Sequence, residues 1–279
     1  MREVSRTPVT ALAGANKPDL TATVEAACQR RPRSARRVCA VPKPITASDP
    51  TWVAASRFAD RLALTRVVAI TVGGRVAPWN QFGLSTFALP DGQHGASLGD
   101  VALIIDESQQ PGIRHLVLAG CPHTVETVAG LAVQHVHESI RLPHFTTASA
   151  PFGEQLAVTG VDHVVVLADD VRATCAQVER DTGAPLKRVK EGERGVQGFH
   201  RLGSVILEVV ERRLVEPSRE SSGAAYWGFV IVVDDIAIVA ARLGPDVIGA
   251  PKRAVQDGRL ISTVRSAAGL GVPLALMSR

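Results

Sequence analysis

Six of the eight histidines in this 279-residue chain fall between His94 and His144, and two short groupings among them, Cys121-Pro122-His123 and His135-Val136-His137, have the residue types of a zinc site. The spacing argues against one. Val125, Val128, Ala129, Ala132, Val133 and Val136 recur at helical intervals, so a helix is expected over 124–140, capped by Thr124. On such a helix His135 and His137 diverge by about 200° and cannot share an ion. Gly73-Gly74 lacks the Lys and Ser/Thr of a phosphate-binding loop, and no Gly-x-Ser-x-Gly nucleophile turn occurs.

Residues further along carry more. Glu208 stands in a strand-like run where Ile206, Glu208 and Val210 share one face. If that face lines a cavity, an unpaired carboxylate is costly and needs a cation, an Arg or a ligand; on a solvated face it is ordinary. Arg259, beside Gly258 and near Gln256, has the fork to hold a substrate carboxylate or phosphate, to pair with Glu208, or to tie the last strands together. His163 suits a ligand, a general base or a hydrogen-bonded strand residue. Phe199 and Trp227 suit either the floor of an apolar pocket or core packing.

The elements that would position these groups repeat. The run Val161-Asp162-His163-Val164-Val165-Val166-Leu167-Ala168-Asp169-Asp170 returns 65 residues later as Tyr226-Trp227-Gly228-Phe229-Val230-Ile231-Val232-Val233-Asp234-Asp235. Each copy leads from an apolar strand through Asp-Asp into a helical pattern and then Gly-Ala-Pro. Copy one predicts a strand over 161–167, a helix over 171–181 and strands over 186–190, 196–201 and 205–211. Copy two predicts a strand over 227–233, a helix over 236–243 and three further strands ending at 272–278. Two copies facing each other imply a shared cavity for a small molecule.

Upstream, a helix is expected over 51–64 and strands over 66–72, 84–89, 101–106 and 115–119, with Pro78-Trp79-Asn80 and Pro90-Asp91-Gly92 read as turns. The domains read as a basic leader over 1–47, a small α+β domain without family motifs over 48–150, and the duplicated domain over 158–279, its modules at 160–212 and 226–279. The net charge is +4, but residues 1–47 hold nine basic and three acidic side chains, so residues 48–279 sum to −2. The folded part thus lacks a basic field for nucleic acid, and the leader has no aromatics among its arginines to stack on bases. Scattered cysteines, no long apolar span and no secretory signal make a soluble cytoplasmic protein the expectation.

The residues 160–170, the run Gly203-Ser204-Val205-Ile206-Leu207-Glu208-Val209-Val210-Glu211, the opening of copy two and the stretch 254–263 together resemble the vicinal oxygen chelate superfamily, in a glyoxalase-like branch found in bacteria. That superfamily groups glyoxalases, extradiol dioxygenases and bleomycin-resistance proteins. The resemblance implies an α+β fold of paired βαβββ modules around a cavity, with metal ligands on the first and last strands of each module. Carried over, it gives His163 and Glu208 as ligands for Fe, Mn, Ni or Zn, and as the catalytic pair of a metal-dependent lyase, isomerase or dioxygenase. Arg259, Gln256, Phe199 and Trp227 would contact the substrate, with His200 on a neighbouring strand open to recruitment. Copy two departs from the pattern: Gly228 stands where His163 has its counterpart, and Leu274 or Ala275 where Glu208 has its own. The alternative implied is metal-free binding or drug sequestration. The partners expected are a small-molecule ligand and a second copy of the chain, with neither membrane nor nucleic acid.

Overall fold

The computed structural model describes residues 65–89, 91–122, 125–137, 156–192, 195–216 and 222–279. The leader, the expected helix over 51–64 and most of the connector over 141–159 lie outside the described residues.

The second half folds as its duplication requires. Copy one is β8 (Val158–Ala168), α2 (Val171–Thr182), β9 (Leu186–Gly192), β10 (Gly195–Leu202) and β11 (Val205–Glu211). Copy two is β12 (Ala225–Val233), α3 (Ile236–Leu243), β13 (Lys252–Arg253), β14 (Leu260–Thr263) and β15 (Leu274–Ser278). They form one eight-stranded sheet in the order β13-β14-β15-β12-β8-β11-β10-β9. The two first strands, β8 and β12, run antiparallel at the centre, and each has its own module's last strand parallel on its outer side. Each helix begins at the second Asp of the repeated Asp-Asp: Asp170 accepts from the Ala173 amide, and Asp235 accepts from the Ala237 and Ile238 amides.

The first half contains β1 (Arg66–Gly73), α1 (Val76–Phe82), β2 (Phe87–Ala88), β3 (His94–Leu98), β4 (Val101–Asp106), β5 (Gly112–Ala119), β6 (Thr127–Val128) and β7 (Leu131–Val136). Its seven-stranded sheet has the order β2-β3-β4-β1-β5-β7-β6, again with two antiparallel central strands, β1 and β5, flanked by parallel last strands, β4 and β7. This is the connectivity of the second sheet, with the second module reduced to three strands among the described residues.

Three expectations for this half are corrected. Residues 125–137 are not helical but form the β6–β7 hairpin. The apolar positions there fit a period of two as well as one of three to four: Leu131 and Val133 are buried while Ala132 and Gln134 are exposed. Its two-residue turn takes positive φ at Ala129 (50°) and Gly130 (81°), the pairing that matches strand twist. Pro78-Trp79-Asn80 is not a turn but the middle of α1, where a proline this near the N-terminus breaks no hydrogen bond. The expected strand over 84–89 shrinks to Phe87–Ala88.

A bulge recurs at the same place in all four central strands. The register skips Asp162 in β8 and Trp227 in β12, and likewise Val68 in β1 and Arg114 in β5. In a regular strand successive side chains point to opposite faces, whereas a bulge lets two neighbours share one. Val161, Val164, Val166 and Ala168 accordingly enter the helix-side core with Val171, Cys175 and Val178 of α2. Val165 and Leu167 point the other way and pack with Val210 and Trp227. The helix sides of both sheets join one core, in which Trp79 of α1 stacks on Phe229 of β12 with ring centroids 6.4 Å apart. No helix among the described residues is long and apolar enough to cross a membrane.

Replacing Asp235 with Ala removes the oxygen that accepts from two α3 amides and should lower unfolding free energy by about 1 kcal/mol in urea titrations, while Asn should lose far less.

Candidate functional site

The helix-free face of the second sheet carries the polar row. The bulge at Asp162 turns this carboxylate onto the same face as His163, and its Oδ2 lies 2.8 Å from His163 Nδ1. Across from it, Arg259 Nη1 donates to Asp162 Oδ1 at 2.5 Å, and Arg259 Nε donates to the Ser278 carbonyl at 2.7 Å. On the other side of His163, Nε2 lies 3.5 Å from Glu208 Oε2, and Gln197 Nε2 donates to Glu208 Oε1 at 3.1 Å. Arg259, Asp162, His163, Glu208 and Gln197 thus form one continuous line, from the residue before β14 through β8 and β11 to β10. His163, Glu208 and Gln197 are all buried, at 5, 7 and 7% exposure, yet His163 Nε2 has no hydrogen-bond partner.

Charge explains why the row holds together. Burial pushes Asp162 up, but its bond to His163 and the Arg259 guanidinium outweigh that and hold it below the usual carboxylate value. Burial also disfavours a charged His163, but the Asp162 hydrogen bond and the two flanking carboxylates prevail and raise it above 6.5. Glu208 is pushed up by burial, against the pull of His163 and of Lys190. The His163–Glu208 pair therefore retains its proton to higher pH than either group would alone, beside the Asp162–Arg259 ion pair.

Of the residues expected here, the structure brings His163, Glu208 and Arg259 into the row. Arg259 pairs with Asp162, not with Glu208. Phe199 is the register partner of Glu208 and shares its face, half-buried. Trp227 is on that face too but packs against Val165, Leu167 and Val210. Gln256 stands exposed in the turn before β14, where its carbonyl accepts the Arg259 amide. His200 is corrected outright: it lies on the opposite face of β10, 1% exposed, with Nδ1 donating to the Ala184 carbonyl. Asp162 and Gln197 were not anticipated. The repeat itself held the signal for Asp162, because its counterpart Trp227 breaks strand alternation in the same way.

The second module supplies Arg259 to the row but no donor at the positions matching His163 and Glu208. Register places Gly228 as the counterpart of His163, and Ala275, paired to Val230, as the counterpart of Glu208, paired to Val165. A Cβ at Gly228 would stand 2.4 Å from the Pro273 carbonyl oxygen, so no side chain fits there without moving backbone. Around these positions Val230, Ile261, Ala275 and Met277 form an apolar patch. The face is thus polar on one module and apolar on the other.

No family model and no curated protein matches the chain in sequence. Solved structures do match. A variant of 4-hydroxymandelate synthase from Streptomyces coelicolor aligns over 77% of this chain and 92% of its own, with a TM-score of 0.50 at 14% identity. A halotolerant catechol dioxygenase aligns over 78% and 88%, with a TM-score of 0.52 at 11% identity. The chain has the vicinal oxygen chelate fold. The second sheet is less than half of the chain, so matches of this extent take in the first sheet as well. A fusion of a xylose isomerase-like TIM barrel with a 4-hydroxyphenylpyruvate dioxygenase is likewise similar over 77% of this chain and 48% of its own, with a TM-score of 0.52 at 9% identity.

The fold raises the question of a divalent metal, and the donor set answers it poorly. The vicinal oxygen chelate pattern would take donors from both modules, and among the described residues only His163 and Glu208 stand at the matching positions. Among the described residues no group of three or more His, Cys, Asp or Glu is placed to hold a metal ion. The residues do not fit a resident catalytic ion.

Two outcomes follow from this geometry. Gly228→Ala should destabilise the protein by more than about 2 kcal/mol, because the clash is with backbone. A native His163 value above 6.5 adds stability that is complete below pH 6.5 and lost as pH rises through that value. Urea unfolding should therefore show lower stability at pH 9 than at pH 6, with the difference reduced in His163→Gln.

Proposed function

We propose that this chain binds a small, oxygen-bearing organic molecule on the helix-free face of its second sheet, without a catalytic metal ion. The oxygen-bearing end would meet His163, Glu208 and Gln197, and the carbon skeleton would lie against Val230, Ile261 and Met277. Arg259, through Asp162, would fix the imidazole, leaving Nε2, which has no hydrogen-bond partner, as the atom of this row to meet a ligand. Phe199, beside Glu208, would close the polar side. The observation that carries this reading is the unequal pair of modules, with His163 and Glu208 facing Gly228 and Ala275. The chemistry open to such a row without a metal is recognition and movement of a proton at His163 Nε2 or Glu208, and not Lewis-acid or oxygen activation.

The division of labour between residues 48–150 and 158–279 belongs to the same proposal: the later half would carry this site. The similar proteins are named for hydroxymandelate and catechol chemistry, so these compounds are reasonable first probes. Protein purified without an affinity tag should contain far less than one equivalent of Fe, Mn, Ni or Zn by elemental analysis. Its unfolding temperature should rise with catechol or 4-hydroxymandelate and not with those metals, and His163→Ala should abolish the rise; saturation at 100 times Kd corresponds to about 2.7 kcal/mol. One equivalent of metal that is lost in His163→Ala would instead favour the metal-dependent enzyme.

A further inference from the structure

The bulge and register that define the His163–Glu208 position recur in the first sheet, so its counterparts can be read directly. They are Ala69 with Ile104 in the first module and His115 with Gln134 in the second. The first sheet therefore repeats the design of the second, with one module apolar and the other carrying an imidazole paired with a carbonyl-bearing side chain. None of the expectations drawn from the sequence uses these residues.

Three observations give this position the character of a site. Gln134, paired to Val117 two residues on from His115, shares its face and acts on its imidazole. Thr71, directly opposite His115 on β1 and on the same face, is 1% exposed, and its hydroxyl has no hydrogen-bond partner. Asp106 lies at the end of this face, its carboxylate fixed by the Ser108 hydroxyl at 2.6 Å and the Gln93 amide at 3.1 Å. An orphaned buried hydroxyl is costly unless something meets it. His115, Asp106 and Gln93 remain partly exposed, so the row is open to solvent.

The chemistry of the row selects the ligand. Burial lowers His115 below the usual imidazole value, against the pull of Gln134 and Asp106, so it is neutral near pH 7 and both donates and accepts. The Gln134 amide and the Thr71 hydroxyl do the same, and Asp106 and Arg114, which both act on His115, leave no net charge beside the row. A neighbouring pair of hydroxyl groups, each both donor and acceptor, complements such a set. We infer that the helix-free face of the first sheet, at Thr71, His115 and Gln134, is a second binding site, for an uncharged ligand bearing vicinal hydroxyls, as on a monosaccharide or cyclic polyol.

The test is saturation-transfer NMR on the full chain with D-glucose, D-galactose, D-mannose and myo-inositol, each at about 10 mM, a range that detects weak complexes. At least one should receive saturation, and gluconate should receive less. Thr71→Val, which keeps shape and removes the hydroxyl, and Gln134→Leu at an exposed position should each weaken binding about tenfold, the loss of one good hydrogen bond. Excess 4-hydroxymandelate, the anionic probe of the second-sheet site, should leave the signal unchanged, which separates the two sites. No transfer from any of the four, transfer indifferent to Thr71→Val and Gln134→Leu, or transfer displaced by 4-hydroxymandelate would overturn the inference.

Discussion

A single extra residue in β8 sets up the site. The bulge at Asp162 places two consecutive side chains on one face, which a regular strand forbids, and so lets a carboxylate hold the imidazole beside it. The contacts on either side of the imidazole depend on that. Arg259 reaches across from the residue before β14 because Asp162 is turned toward it, and Glu208 faces Nε2 because Nδ1 is already engaged. The cost of burying these charges is offset only while all stay paired, so the row behaves as one unit.

The same bulge recurs four times with different residues in it, and this shows how the architecture has been used. Asp162-His163 carries charge, Trp227-Gly228 carries bulk and then nothing, Val68-Ala69 is apolar and Arg114-His115 is polar. The backbone holds the position constant while the side chains decide what it can do. Gly228 is not a neutral gap in this scheme, because the Pro273 carbonyl fills the space where its side chain would stand. The second module has closed the position that an opposing donor would need.

Much of the second half was legible in the sequence. The repeated Asp-Asp marked both helix starts because the second Asp of each pair is a true N-cap, and the β-rich runs matched their strands within a few residues. His163 and Glu208 were singled out through the family pattern, and they stand 3.5 Å apart. Asp162 and Gln197 were not, since pairing across strands depends on register, which alternation alone does not give. Arg259 was noticed for its chemistry, with Glu208 as one of three open partners; it pairs with Asp162 and also ties to the last strand at the Ser278 carbonyl.

The first half was harder because its signals were weak or double. Residues 125–136 satisfy both a helical and an alternating pattern, and the Ala129-Gly130 turn that decides between them uses an alanine at positive φ. The proline in α1 disguised a helix as a turn. With no strong strand–helix alternation to read, the shared connectivity of the two sheets emerges only from strand pairing. The central claim is that His163 is a charged imidazole locked between Asp162 and Glu208 in place of a metal ligand. Its most direct test is nitrogen NMR of the His163 ring at pH 6.5, where an ordinary imidazole is half charged. Both ring nitrogens should be mostly protonated and indifferent to added zinc or manganese; a bare Nε2 that shifts on adding either metal would contradict the account.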